Sequence, residues 1–307
     1  MRSKRTVIVI FLVVIVLCVL AAFWKNSNDV NSAAGNRIAV IYVDGVIAGG
    51  HSQSLFGNKE GTDEVIHQLH QARDDKAVKA VVLRINSPGG SAPASQEVGA
   101  EIIKLRQSGK VVIASMGDVA ASGGYWIAAV TDKIYASPAT MTGSIGVYIP
   151  YANWQELYQK IGIRQEKIKS GPHKDILSPD RPMTPEERAI LQAMVDDLYN
   201  QFVAVVAEGR HMDVEKVKEL ADGRIFTGSQ AKTAGLVDEL GTMYDAIDGA
   251  AELAGIKGKP VIKEYGKANP WSLIFSASDQ TKMEELMLKQ FANQLPITAP
   301  LAVPPEW

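Results

Sequence analysis

Cysteine is nearly missing from this chain: Cys18 is the only one in 307 residues. No intrachain disulfide can form, so a folded body must rely on its core. Histidine is scarce too, with His51, His67, His70, His173 and His211 making up the whole set. Neither sign of charge dominates. The formal net charge is -2, which leaves no global basic field of the kind nucleic-acid binding needs. The Cys/His spacings of a zinc site and a Walker-type phosphate loop are both absent, and no segment has low complexity. What remains is a chain long enough for one large domain or two small ones, with an ordinary globular apolar content.

One long apolar run is present. After a basic end at residues 1–5 with Arg2, Lys4 and Arg5, Thr6 to Trp24 carries no charge. As a helix it would be about 28 Å long, close to the hydrocarbon thickness of a bilayer. A secretory signal has a shorter apolar core, usually about 7–15 residues. "SAAG" at Ser32 to Gly35 would be the cleavage site on that reading. Cys18 follows the bulky Leu17, which fits a lipoprotein signal poorly. The expectation is a single-pass anchor over 6–24 in the cell membrane. Its basic flank keeps the N-terminus cytoplasmic and the body outside. A polar linker follows over 25–36.

The body is expected over 37–266. "RIAVIYVDGVI" is a β-branched strand, and "GTDEVIHQLHQARDD" is helical. "VKAVVLRIN" and "KVVIASMG" are apolar nearly throughout, as buried parallel strands are. A helix from Ala94 to Gln107 lies between them. The order β-α-β-α-β-α predicts a layered α/β core. "KIYASP" and "SIGVYI" read as further strands and "NWQELYQKIG" as a helix. "TPEE" at Thr184 to Glu187 has the pattern of a capping box with proline at the first helical position, opening a long helix to about Arg210. Residues 267–307 differ: an accessory helix and a proline-rich, apolar tail, pre-extended enough to enter a peptide groove.

Ser122, in "DVAASGGYWIAAV", stands between small residues and a Gly-Gly pair. A serine hydroxyl becomes a nucleophile when a base takes its proton and two donors face the developing oxyanion. Gly123, at the start of a helix, suits one donor. "INSPGG" supplies the other, from Gly89, with Gly90 as the alternative. The base is less defined. No histidine lies between Ser122 and Gly171. His51 falls in a Gly/Ser-rich loop, His67 and His70 on one helical face, and His211 at a helix end. "KSGPHKDILSP" offers His173 and Lys174 on equal terms. A lysine would have to be desolvated from about 10.4 toward about 7–8 to act at neutral pH.

"INSPGG", "DVAASGGYWIAA", "TMTGSIGVY" and "KSGPHKDILSP", in this order behind an apolar N-terminal run, closely resemble the signal peptide peptidase A (SppA) and protease IV family in its short, single-repeat form. The resemblance spans Arg37 to about Gly266. It implies a ClpP/crotonase-like α/β fold and a Ser-Lys peptidase with Ser122 as nucleophile, Lys174 as general base and Ser144 orienting the lysine. It also implies that Gly123 and Gly89 are the oxyanion donors. No metal or cofactor is implied. The implied substrates are remnant signal peptides, and the implied assembly is a homo-oligomeric, octameric ring. Two other functions share parts of this sequence. A crotonase-type acyl-CoA enzyme would need neither Ser122 nor an anchor, and a silent membrane-tethered scaffold would not need Lys174.

Overall fold

The computed structural model describes residues 36–50, 52–53 and 59–266. The expected anchor, nearly all of the linker, His51 and the segment 267–307 lie outside them. Among the described residues no helix is long and apolar enough to cross a membrane.

Alternation along the first strands builds the sheet. In β1 (Arg37–Asp44), Ala39, Ile41 and Val43 face one apolar layer while Ile38 and Val40 face the other. The same two-residue period puts Val81, Leu83 and Ile85 of β4 (Val78–Ser87) opposite Ala80 and Val82. Both faces are buried, so these strands are apolar almost throughout, as parallel strands between helical layers must be. On one face pack α1 (Thr62–Asp74), α2 (Ala92–Gln107) and α3 (Gly123–Ala129). The other is covered by α8 (Met243–Leu253) through Ala246, Ile247, Ala250 and Ala251.

The main sheet is completed by β5 (Val111–Ala121), β6 (Lys133–Ala136), β9 (Glu239–Leu240) and β10 (Val261–Glu264). Its order is β10-β1-β4-β5-β6-β9, all parallel. The long β5 divides its outer edge. Ile113 to Ser115 pair with β6, and Val119 to Ala121 pair with β7 (Met141–Gly143). The antiparallel β8 (Ile225–Thr227) then closes on β7. A two-residue ladder, β2 (Ser52–Gln53) with β3 (Lys59–Glu60), stands apart.

Helix α5 (Pro185–Arg210) opens as its sequence predicts. The Thr184 hydroxyl accepts from the Glu187 N–H, and the Glu187 carboxylate accepts from the Thr184 N–H. The remaining helices are α4 (Gln155–Lys160), α6 (Val214–Leu220), which packs on α5, and α7 (Gly228–Thr233), which lies against β7, β8 and β9. One expectation is corrected. "SIGVYI" is not a strand; the strand is Met141–Gly143, just before it. Gly143 and Ser144 have φ of +79° and +49° and turn the chain out of extension.

Candidate active site

The site forms where β4 and β5 end side by side. β4 stops at Ser87, and Pro88-Gly89-Gly90 turns the chain into α2. Gly89 has φ +99°, and a methyl there would lie 2.7 Å from both the Gly123 nitrogen and the Ser122 Cβ. A methyl on Gly90 would collide with the Ile47 carbonyl. That carbonyl accepts from the Ser91 N–H at 2.8 Å, and the Ile47 N–H donates to Gly89 O at 2.9 Å. The Pro-Gly-Gly turn is thus stitched to the chain beyond β1, and only glycine fits it.

β5 ends at Ala121. Ser122 follows with φ +53° and ψ -121°, then α3 begins. A non-glycine residue with positive φ costs about 1–3 kcal/mol and persists where its surroundings hold it. Here the Ser122 N–H donates to Gly143 O at 2.9 Å and its carbonyl accepts from the Trp126 N–H at 2.9 Å. Every residue of α3 is buried. Its Tyr125 hydroxyl donates to Leu236 O at 2.8 Å, and Trp126 packs on Phe202 with ring centroids 4.8 Å apart. Ser144 is also half-buried at positive φ, and its N–H donates to Arg224 O at 2.8 Å. The structure therefore gathers Gly89, Gly90, Ser122, Gly123 and the start of the Ser144 turn at one place.

The backbone donors divide clearly. The Gly89 N–H is committed to the Ser87 hydroxyl at 3.1 Å. Among the described residues the N–H groups of Gly90 and Gly123 have no acceptor. Gly90 is exposed, and a methyl on Gly123 would lie 3.3 Å from the Gly90 nitrogen. Two open N–H groups therefore flank the Ser122 turn. An oxyanion takes such donors without reorganisation.

Lys174 lies on a loop that closes on itself through charge. Asp175 accepts from Arg181 Nη2 at 2.8 Å and from Lys169 Nζ at 2.6 Å. Arg181 continues to Glu187 at 2.5 Å, and Lys167 bonds Asp180 and Ser178. The bonds from Arg181 and then Lys169 hold the Asp175 carboxyl well below the usual carboxylate range. Arg181, and then the Thr184 N–H, hold Glu187 down to about 2. This network has no sequence signature, since its charges look like those of any solvated loop.

The Lys174 side chain is exposed, and no hydrogen bond or ion pair joins it to Ser122, Ser144 or any other described residue. His173 has Nε2 3.5 Å from Glu186 Oε1, and its Nδ1 is buried without a partner. His67 is exposed, His70 bonds Glu101 at 2.7 Å, and His211 caps α5 in the left-handed conformation. No histidine is hydrogen-bonded to Ser122 among the described residues.

Residues 104–257 match Peptidase family S49. A protein of Synechocystis sp., provisionally named as a protease, is 48% identical over 72% of this chain and 75% of its own length. One from Enterococcus faecium, provisionally named signal peptide peptidase SppA, is 40% identical over 78% and 71%. Protease 4 of Salmonella typhi is 39% identical over 91% of this chain, which spans 44% of that protein. Among solved structures, a ClpP1 mutant from Listeria monocytogenes aligns with a TM-score of 0.45 at 16% identity, over 72% of this chain and 98% of that one.

Proposed function

The chain belongs to peptidase family S49, and from that membership we propose that it is a serine endopeptidase in which Ser122 is the nucleophile and Lys174 the general base. The observation that carries the reading is the Ser122 backbone, held at positive φ between two unpaired N–H groups. Ser122 Oγ bonds to the substrate carbonyl carbon while its proton passes to neutral Lys174. The oxyanion rests on the N–H groups of Gly123 and of the Pro-Gly-Gly turn. In that turn Gly90 takes the place first expected for Gly89, because the Gly89 N–H is already spent on Ser87. The lysine returns the proton to the leaving amine. Water then attacks the acyl-enzyme by the reverse relay. Ser144, beside the Ser122 turn, orients the lysine.

Lys174 reaches Ser122 from a second copy in this reading. Two features support it: Lys174 is exposed and unpartnered, and the stretch before it exposes Tyr148, Trp154, Leu157, Ile161 and Ile168. Apolar exposure on that scale marks an interaction surface. A homo-oligomeric ring, octameric as in the short SppA form, would cover it and complete each site. The run 6–24 anchors the chain in the cell membrane, and the exported body degrades apolar peptides, remnant signal peptides foremost. Labelling with a fluorophosphonate tests the nucleophile. Mass spectrometry should place the adduct on Ser122, and Ser122→Ala should be unlabelled and inactive. An active, labelled Ser122→Ala would refute the reading.

A further inference from the structure

Between the segment that follows Ser144 and the first turns of α5 lies a half-open cavity of about 250 Å³. Val147, Ile149, Leu177, Leu191 and Val195 contribute apolar side chains to its lining, although more of its open surface is polar than apolar. It is smaller than the roughly 300–1,000 Å³ of a drug-sized ligand site, so it takes one or two side chains, not a folded partner. Two of its lining residues are close in sequence to the candidate chemistry. Val147 lies three residues after Ser144 and Leu177 three residues after Lys174. The Tyr151 hydroxyl donates to Arg181 O at 2.6 Å, joining the lining to the lysine loop.

Arg188 is the only charged residue lining this cavity among the described residues. It makes no ion pair or side-chain hydrogen bond with any described residue, whereas Arg181, seven residues earlier, is saturated by Asp175 and Glu187. The guanidinium of Arg188 is exposed and has no described partner; beside these apolar side chains it is complementary to a carboxylate carried on an apolar chain, which it can grip through two parallel N–H bonds.

We infer that this cavity binds the free C-terminal end of an apolar peptide, with the α-carboxylate on Arg188 and the last side chain in the cavity. The inference rests on the peptidase reading and names the end by which that site takes its substrate. The class is an apolar peptide with an unblocked C-terminus, as any prior endoproteolytic cut leaves.

The test uses the full-length chain with Ser122→Ala, so that ligand is bound and not consumed. Two fluorescent Ala/Leu hexapeptides are compared by anisotropy, one ending in a free carboxylate and one in an amide. The acid should bind at least tenfold tighter, about 1.4 kcal/mol. Arg188→Gln should bring the ratio to near one, and Arg188→Lys should restore part of it. Equal binding of acid and amide without the Arg188 change overturns the proposal. So does an Arg188→Gln that weakens both peptides alike, or one that alters the assembly mass in light scattering and leaves the ratio intact. The last result would make the cavity an interface between copies. Fluorophosphonate labelling of Ser122 in the unaltered chain tests the nucleophile separately.

Discussion

Two helical glycines, Gly99 buried and Gly209 half-buried, should respond to the same substitution with opposite signs. Alanine normally stabilises a helix interior by up to about 1 kcal/mol relative to glycine. Gly99, in α2, has room for it. The added methyl would lie 3.6 Å from Trp126 Nε1 and 3.7 Å from Val130 Cγ2, ordinary contact. Gly99→Ala should therefore gain about 0.5–1 kcal/mol. Gly209, in α5, has none. A methyl there would lie 2.8 Å from the carbonyl carbon of Ala129 and closer still to its oxygen. α5 and α3 must separate by about 1 Å, and overpacking of that kind costs about 1–3 kcal/mol. The clash outweighs the propensity, and Gly209→Ala should lose about 1–2 kcal/mol net. Urea unfolding followed by circular dichroism measures both. Activity should separate them further. α3 begins at the Ser122 turn, and a misplacement of about 1 Å can lower the rate by about 10²-fold. Gly209→Ala should lose peptide hydrolysis, and Gly99→Ala should keep it. If both variants shift stability in the same direction, the close approach of α5 to α3 is not what fixes the Ser122 helix.

Lys174→Ala should abolish hydrolysis while His173→Ala keeps most of it; equal loss in both would remove the lysine from the base role. Mixing inactive Ser122→Ala with inactive Lys174→Ala, dissociated and reassembled together, should restore activity in hybrid sites, and no recovery would refute completion by a second copy. The rate constant kcat/KM should climb with pH and level off only above neutrality, because a lysine base works uncharged; a plateau by about pH 6 would point to histidine. The lysine loop should loosen in acid. Asp175 and Glu187 are held below their ordinary values in the folded chain, so their stabilisation is complete above about pH 4.5 and fades as pH falls toward about 2. Hydrogen exchange across residues 167–187, corrected for the intrinsic pH dependence of amide exchange, should show it, and a protection factor flat over that window would refute the network's role.

The layered core was legible because parallel strands buried on both faces leave apolar runs, and crossover helices leave amphipathic ones. The capping box at Thr184 was legible because its spacing is its mechanism. "SIGVYI" misled because its composition suits a strand, and only the backbone shows Gly143 and Ser144 turning away first. The two glycines of "SPGG" are chemically identical on paper. Which N–H stays open depends on the Gly89 N–H turning back two residues to donate to the Ser87 hydroxyl. The pairing of Asp175, Arg181 and Glu187 was hidden for a related reason. Each is a common loop charge, and their partnership exists only once the loop has folded over the start of α5.

The place of β1 in the sheet also has a mechanical meaning. This strand opens the body and is clasped on both sides by parallel partners, β10 through Arg37 to Val40 and β4 along its whole length. A pull on the chain ahead of Arg37 acts along the strand axis. It must slide β1 past two ladders at once, loading their hydrogen bonds in shear together. A strand peeled from a hairpin end would yield bond by bond under far less force. The body is therefore built to resist traction from its N-terminal side, and a single-molecule pull from that end should meet its main barrier at β1.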